Sequence, residues 1–337
     1  MAEAPEMPAR PADGVGRFVF LLLDRFTLMS FAAALEPLRL ANRMAGKTFY
    51  SWRLVGEGGG EVRCSNGTVL RLDGDLGPVA RDETVLVCGG LDIGRAATRP
   101  VLSWLRRAAR GGSPVGGLCT GAYVLARAGL LDGRTTTIHW ENQDGFAEEF
   151  PEVTLSEAVF AIDGNRLSAA GGIASVDLML RLIAADHGPE LASVVADQLV
   201  HAAIRTDRDV QRLSIPARIG VRHPKLAQVI AMMESHIEEP VSPARLAAGA
   251  GLSTRQLERL FRRYLGRSPK RYYMELRLQK ARNLLMQTGM SVMNVALACG
   301  FASPSHFSKC YRASYGTTPY RERGTQPAPP RAGGANA

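Results

Sequence analysis

Long hydrophobic runs are missing from this sequence of 337 residues. No apolar stretch approaches the roughly 20 residues that a helix needs to cross a bilayer, which argues against a membrane protein. Residues 1–15 are rich in alanine, proline and acidic side chains and contain no apolar core, so no signal peptide is expected. Both ends of the chain, residues 1–15 and 325–337, are instead predicted to be disordered tails.

Cysteine is scarce, with five residues in an odd number that follows no metal or disulfide spacing. The sequence therefore predicts neither a metal site nor a cofactor, and a reducing cytoplasm is the expected location. Cys64 and Cys88 are expected to be buried small apolar residues, and Cys119 follows a glycine-rich strand end. The other two cysteines are Cys299 and Cys310.

Acidic residues are scarce in only one part of the chain, the C-terminal third. Between Lys225 and Gly324 there are 16 Lys and Arg against 6 Asp and Glu, whereas the rest of the chain has 25 basic and 26 acidic residues. A cationic module beside a neutral one is typical of proteins that bind nucleic acid, because neutralising phosphates releases condensed counterions. A solvated helix surface would carry the same charge, so charge alone leaves both interpretations open.

Residues 16–204 alternate between strand-like and helix-like segments. Continuous apolar strands separated by helices indicate an α/β domain with a parallel sheet covered on both faces, a flavodoxin-like sandwich. The predicted strands are Arg17–Leu23, Thr84–Cys88 and Pro114–Leu118, and the predicted helices are Leu28–Asn42 and Val101–Ala109. Residues 205–224 combine mixed charge with two prolines and are predicted to be a linker.

Residues 225–324 show helical periodicity throughout and contain two helix-turn-helix patterns, at about 243–264 and 291–314. In the first, Ser242 precedes a short helix, Gly251 makes the turn, and Thr254–Tyr264 forms the second helix. In the second, Gly300 makes the turn and Ser303 caps the helix that follows. A long helix, Pro269–Leu285, separates them and would let two recognition helices enter successive major grooves roughly 34 Å apart.

This module resembles the AraC/XylS-type DNA-binding domain over its whole length. The resemblance is carried by Gly251-Leu252-Ser253, by Cys299-Gly300-Phe301, and by the closing run from Tyr315 to Arg321 (YGTTPYR). It implies double-stranded promoter DNA and RNA polymerase as partners. The outward side chains of the two recognition helices are the expected DNA contacts: Arg255, Gln256, Glu258 and Arg259 in the first, and Ser305, His306 and Lys309 in the second.

A Gly-x-Cys-x-Gly turn, Gly117 to Gly121, follows the third strand and opens a helix. Such a turn resembles a nucleophile elbow, which exposes the sulfur and directs backbone N–H groups at an oxyanion. His139 follows twenty residues later, and a Cys–His pair acts as nucleophile and base when the two meet in space. A cysteine amidase or hydrolase with an attached DNA-targeting domain is therefore one hypothesis.

These features resemble the ThiJ/PfpI (class-I glutamine amidotransferase-like) domain, from about Arg17 to His201. Active members place an acidic residue where this sequence has Ser30, which disfavours catalysis. In regulators that fuse this domain to an AraC-type module, the resemblance implies an effector-sensing pocket and no catalytic residues. Redox sensing by Cys119 is the third hypothesis, without a resolving cysteine to support it.

The predicted effector site uses the same elbow. Backbone amides of Cys119, Thr120 and Gly121 at a helix N-terminus would bind a carboxylate, beside His139. The aromatic rings of Trp140 and Phe26 would face a cationic group, although ordinary core packing explains either ring equally.

Over the whole chain the sequence resembles regulators of glycine betaine, carnitine and arginine catabolism, for example in Glu36–Arg43 (EPLRLANR) and His139–Asn142 (HWEN). A quaternary amine or an amino acid is therefore the expected effector, and an activator of a catabolic operon is the expected role. Some relatives dimerise through the sensor domain, so a homodimer is the candidate assembly.

Overall fold

The computed structural model describes residues 14–212 and 214–324, which form two compact units that divide between Gln211 and Arg212. Most of the residues predicted as tails, 1–13 and 325–337, lie outside this range. The predicted linker, residues 205–224, is divided between the units. Its first part hydrogen-bonds to the first unit, and Ile215–Ile219 forms a helix in the second. Within the described residues no helix is long and apolar enough to span a bilayer.

A six-stranded sheet in the order β2-β1-β5-β6-β10-β9 forms the centre of the first unit. Its strands pair in parallel except for β9, which runs antiparallel to β10 at one edge. The predicted α/β class is confirmed, and the structure adds short strands that the sequence analysis did not name. The strands are β1 (Gly16–Leu22), β2 (Tyr50–Val55), β3 (Glu61–Arg63), β4 (Val69–Arg71), β5 (Glu83–Cys88), β6 (Val115–Leu118), β7 (Thr135–Thr136), β8 (Thr154–Leu155), β9 (Phe160–Asp163) and β10 (Arg166–Ala169).

Both faces of this sheet are buried, which explains the continuous apolar strands of the sequence. Along β1, Phe18 and Phe20 belong to one hydrophobic core, and Val19 and Leu21 belong to the other. This alternation follows from the two-residue period of a strand. Helices cover both sides: α1 (Leu28–Ala45), α2 (Ile93–Ala96), α3 (Arg99–Arg110), α4 (Gly121–Arg127), α5 (Gln143–Glu149), α6 (Ala174–His187) and α7 (Pro189–Gln198), with a 3₁₀ turn at Trp140–Asn142.

The second unit is helical over its described residues and contains both predicted helix-turn-helix units. The predicted caps Ser242 and Ser303 are confirmed, because the side chain of each accepts a hydrogen bond from a first-turn backbone N–H. Ser253, predicted only as part of the turn, caps α11 in the same way. Its helices are α8 (Ile215–Ile219), α9 (Pro224–Ser235), α10 (Pro243–Gly249), α11 (Thr254–Leu265), α12 (Pro269–Gln287), α13 (Val292–Ala298), α14 (Pro304–Tyr315) and α15 (Pro319–Gly324).

Arg277 fastens the long helix α12 to the turn of the second helix-turn-helix. Its Nε donates to the carbonyl of Cys299 at 2.8 Å and its Nη2 to that of Gly300 at 2.6 Å. The guanidinium also lies over the ring of Phe301, 4.1 Å from the centroid. The left-handed backbone at Gly300 (φ 72°) is required here, since a Cβ would lie 2.6 Å from the carbonyl oxygen of Ile237. One arginine therefore satisfies both carbonyls of a tight turn.

We expect Arg277→Ala to lower the free energy of unfolding of the second unit by about 1.5–3 kcal/mol, because two charge-assisted hydrogen bonds to the turn are lost. Urea denaturation followed by circular dichroism measures the change. Arg271→Ala removes an exposed arginine from the same helix and serves as the control, with an expected change within about 0.5 kcal/mol. Equal stability of the two variants would contradict a structural role for Arg277.

Candidate nucleic-acid interface and sensor site

The recognition helix of the first helix-turn-helix, α11, buries one face and exposes the other. Leu257 and Phe261 are completely buried. Arg255 and Arg259, one helical turn apart, are exposed, and within the described residues neither has an ion-pair or hydrogen-bond partner. Two unpaired guanidinium groups on one helix face are available for phosphates or for the O6 and N7 acceptors of guanine.

Two other predicted contacts on α11 already have partners in the chain. The side chain of Gln256 belongs to a capping box, where its Oε1 accepts from the backbone N–H of Ser253 at 2.8 Å. Only its amide N–H₂ remains to read a base. The carboxylate of Glu258 lies 3.7 Å from Nε of Arg262, an ion pair at helical i,i+4 spacing. Capping and ion pairing are local effects that an outward position does not reveal.

The second recognition helix, α14, is less charged. Ser305, His306 and Lys309 are exposed as predicted, and Phe307 and Tyr311 are completely buried. Cys310, one turn after His306, is only half-buried, and its sulfur lies 3.3 Å from Nε2 of His306. The imidazole of His306 is therefore turned toward Cys310. Ser305 and Lys309 have no such side-chain contact within the described residues and are the more available side chains of this face.

The structure contains the predicted elbow at the end of β6. Cys119 adopts a left-handed backbone conformation (φ 59°), which is rare for a residue other than glycine. Its backbone N–H donates to the carbonyl of Ala169 at 2.9 Å. Gly121 must lack a side chain, because a Cβ there would lie 2.1 Å from the carbonyl oxygen of Val87. Close packing of helix α4 on the sheet thus holds the strained turn in place.

The sulfur of Cys119 is buried among hydrogen-bonding groups. One of them is Ser30, which occupies the position where active members of the ThiJ/PfpI group have an acidic residue. The hydroxyl of Thr27 lies 3.7 Å from Sγ, and Ser30 also contacts the thiol. Ser30 is completely buried and accepts a hydrogen bond from the N–H of Gly172 at 2.9 Å. Burial raises the pKa of the Cys119 thiol, partly opposed by hydrogen bonds from Thr27, the Thr120 N–H and Ser30. The thiol is thus disfavoured as a thiolate nucleophile.

The other predicted effector residues differ in their accessibility. Trp140 is 38% exposed and lies beside His139, with ring centroids 5.6 Å apart. Phe26 is completely buried and packs edge-on against Phe31 at 5.8 Å, so its contact with a ligand stays a prediction that the packing does not favour. The hydroxyl of Thr120 is also engaged, because it donates to the carbonyl of Gly90 at 2.8 Å.

His139 approaches the elbow through its backbone. Its N–H donates to the carbonyl of Cys119 at 3.4 Å, and its Nδ1 accepts from the N–H of Glu141, also at 3.4 Å. Burial lowers the pKa of the imidazole, which Glu141 partly opposes. The same carboxylate raises the pKa of the Cys119 thiol. Glu141, two residues after His139, is not among the predicted site residues.

Comparison with known proteins agrees with this architecture. Residues 17–185 match the DJ-1/PfpI family, and residues 246–324 match a model described as a helix-turn-helix domain. The chain is 47% identical over 310 residues to the HTH-type transcriptional regulator CdhR of Pseudomonas aeruginosa, with 92% of each protein covered. It is 45% identical over 308 residues to GbdR of the same species, covering 91% of this chain and 84% of GbdR. The chain belongs to this family of AraC-type transcriptional regulators.

A crystal structure of a THiJ/PfpI family protein from Pseudomonas syringae has the same fold as the N-terminal part of this regulator. The TM-score is 0.50 at 21% identity, with 71% of this chain and 92% of that chain covered. The regulator therefore joins an α/β domain of the DJ-1/PfpI family to a helix-turn-helix DNA-binding domain, as the two resemblances in the sequence predicted. Its function as a transcriptional regulator follows from relatives that match more than nine-tenths of this chain.

For this regulator we expect Cys119 to react with iodoacetamide at neutral pH more slowly than free N-acetylcysteine, because its thiol stays protonated to higher pH. The alkylation rate of Cys119 should still rise with pH in the range where the rate for N-acetylcysteine no longer increases. Peptide mass spectrometry of the alkylated protein over a pH series measures both. Faster alkylation than the free thiol would indicate a thiolate and would favour the hydrolase or redox hypothesis.

Proposed function

We propose that this regulator is a cytoplasmic activator of a catabolic operon that binds a small amine-bearing metabolite in its N-terminal domain. Its C-terminal domain binds double-stranded promoter DNA and contacts RNA polymerase. The observation that carries the proposal is the pair of capped helix-turn-helix units, whose exposed faces bear Arg255, Arg259 and Lys309, three cations without an ion-pair or hydrogen-bond partner in the part of the chain that the structure describes. Such faces suit the phosphates and base edges of a major groove.

A non-catalytic N-terminal domain is the second part of the proposal. Burial raises the pKa of the Cys119 thiol, which favours its protonated form, and Ser30 offers a hydroxyl where a carboxylate would tune a nucleophile. The elbow then serves as a rigid platform for binding. Trp140 and the half-buried His139 form its accessible side, where a cationic group would lie against the indole ring.

The proposed coupling runs through residues 200–211, here named the C-terminal strap. Its last residue, Gln211, donates from Nε2 to the hydroxyl of Thr137 at 2.8 Å and to the carbonyl of Ile138 at 2.9 Å. Ile138 directly precedes His139. A ligand that displaces the His139–Trp140 turn would therefore move the point from which the chain leaves for the DNA-binding unit, provided that the ligand binds one of the two positions more tightly.

Calorimetric titration of the full-length protein with glycine betaine, dimethylglycine, carnitine and arginine tests the sensing role. We expect one of these compounds to bind and to change the affinity for a DNA duplex selected from a random library. If none binds, the effector assignment fails. Sequence-specific DNA binding is tested independently, because it fails only if the random library yields no preferred duplex. Sedimentation of the same sample checks the expected homodimer.

The hydrolase remains the competing function because Glu141 lies close enough to influence both Cys119 and His139. Turnover of small amide and ester substrates that is lost in Cys119→Ala would support it. Retention of promoter activation by the same variant would support a purely sensory domain.

A further inference from the structure

We propose that the N-terminal unit has a second small-molecule site, separate from the elbow, which takes a ligand that carries both a cationic nitrogen and a carboxylate. The site is a cavity of about 590 Å³ beside the carboxyl ends of β1 and β2. Ligands of open α/β sheets bind at this edge, and the volume is within the range of small-molecule sites. None of the six predicted effector residues lines this cavity.

The cavity has an apolar floor. Leu22, Leu23, Val62, Leu72 and Val101 line it, and all five are buried in the two cores of the unit. The strands β3 and β4 supply part of the lining, and the segment from Asp92 to Val101, which leads into α3, supplies another part. An apolar floor with a few polar groups above it is the usual construction of a small-molecule site.

The charged side chains of the cavity fall into two groups. Some are already paired: Arg25 with Asp92, Arg63 with the carbonyl of Gly67 at 3.1 Å, and Glu57 with the hydroxyl of Thr98 at 2.6 Å.

Three other charged side chains of the cavity, Asp24, Glu61 and Arg95, have no hydrogen-bond or ion-pair partner within the described residues. Two free carboxylates and one free guanidinium around one cavity match a ligand that carries both charges.

The wall formed by Arg25 and Asp92 is held in an unusual backbone conformation. Both residues are left-handed, with φ of 59° and 53°. The N–H of Arg25 donates to the carbonyl of Arg63 at 2.8 Å, and its carbonyl accepts from Leu91 at 3.1 Å. Gly90 allows this approach, since a Cβ there would lie 2.1 Å from the Arg25 oxygen. Backbone strain that the surrounding structure maintains is typical of ligand-binding sites.

Four probes of matched size separate the charge requirements. Full-length protein is titrated by calorimetry with glycine betaine and glycine, which carry both charges, with choline, which is a cation, and with acetate, which is an anion. We expect at least one of the two zwitterions to bind at least about tenfold more tightly than either singly charged probe, since each charge that finds a partner contributes about that factor.

Variants then locate the binding. Arg95→Ala and the double variant Asp24→Asn with Glu61→Gln are each expected to weaken zwitterion binding by about tenfold or more. Arg99→Ala removes an exposed arginine that does not line the cavity and should bind like the wild type. Thermal unfolding of every variant shows that the fold is intact, as expected for exposed side chains.

Two results overturn the second site. Zwitterions that bind no better than choline and acetate would exclude the ligand class. Binding that is kept in Arg95→Ala and lost in Trp140→Ala would locate the ligand at the elbow, so that the second site fails while the proposed sensing function stands. Conversely, binding that is lost in Arg95→Ala and kept in Trp140→Ala supports the cavity.

Discussion

Arg259→Ala is expected to weaken binding to a selected DNA duplex by about 1–3 kcal/mol, or roughly 5- to 150-fold, and to relax the base preference at one position. The reason is geometric: Arg259 is exposed on α11, has no partner within the described residues, and lies one turn beyond Arg255 on the recognition face. Its planar guanidinium can donate two hydrogen bonds to one guanine. Fluorescence anisotropy with the duplex selected by the wild type, and a second selection with the variant, measure both effects.

Arg263→Ala is the matched control on the same helix. Arg263 is also exposed, but it lies over the ring of Tyr264, 5.4 Å from the centroid, four residues further along α11. Its loss should weaken selected and random duplexes by similar small factors and flatten the dependence of affinity on salt. Equal losses from both variants on both kinds of DNA would contradict the assignment of base reading to Arg259 and not to Arg263, one turn further along the helix.

Most of the DNA-binding unit was predictable because its signals are local. Ser253 and Ser303 cap the recognition helices, and Gly251 and Gly300 have the left-handed turn conformations that the sequence implied. Each of these features depends on residues within one turn of the chain. What sequence could not show was competition for the outward side chains, such as the capping bond that occupies Gln256.

The sensor site was less predictable because its parts meet only through the fold. The elbow follows from its own glycines, but the neighbours of Cys119 come from the loop after β1 and from the segment after β10. Phe26 illustrates the difficulty: it lies four residues before Ser30, which contacts the thiol, yet its ring points into the core. A sheet with both faces covered buries aromatic residues on either side of a binding edge.

Residues 205–224 are predicted to be a linker because they combine mixed charge with two prolines. The start of this range is held to the first unit by a buried carboxylate. Asp177 of α6 is completely buried, and it accepts hydrogen bonds from Nε and Nη2 of Arg205 at 2.9 and 2.6 Å. It also lies 2.8 Å from Nε2 of His201 and from the backbone nitrogen of Arg205. Polarity in this segment thus reflects a buried ion pair, which sequence composition cannot distinguish from solvent exposure.

Asp177→Ala should therefore destabilise the first unit by about 3 kcal/mol, the lower end of the range for breaking a buried pair, because Arg205 keeps some contact with solvent. Release of the C-terminal strap should also speed proteolytic cleavage between residues 200 and 211. Urea denaturation and limited proteolysis with mapped cleavage sites measure the two effects. Asp197→Ala, which removes an exposed aspartate from α7, is the control and should change neither.

The same variant separates stability from coupling. If Asp177 holds the strap against the sheet and Gln211 carries the signal at its end, Asp177→Ala should still bind DNA through the intact second unit while its DNA affinity no longer responds to a bound effector. A separate Gln211→Ala variant, which keeps the buried ion pair, should lose the response with little loss of stability. A full effector response in both variants would mean that the strap only closes the domain and that the signal leaves the sensor by another route.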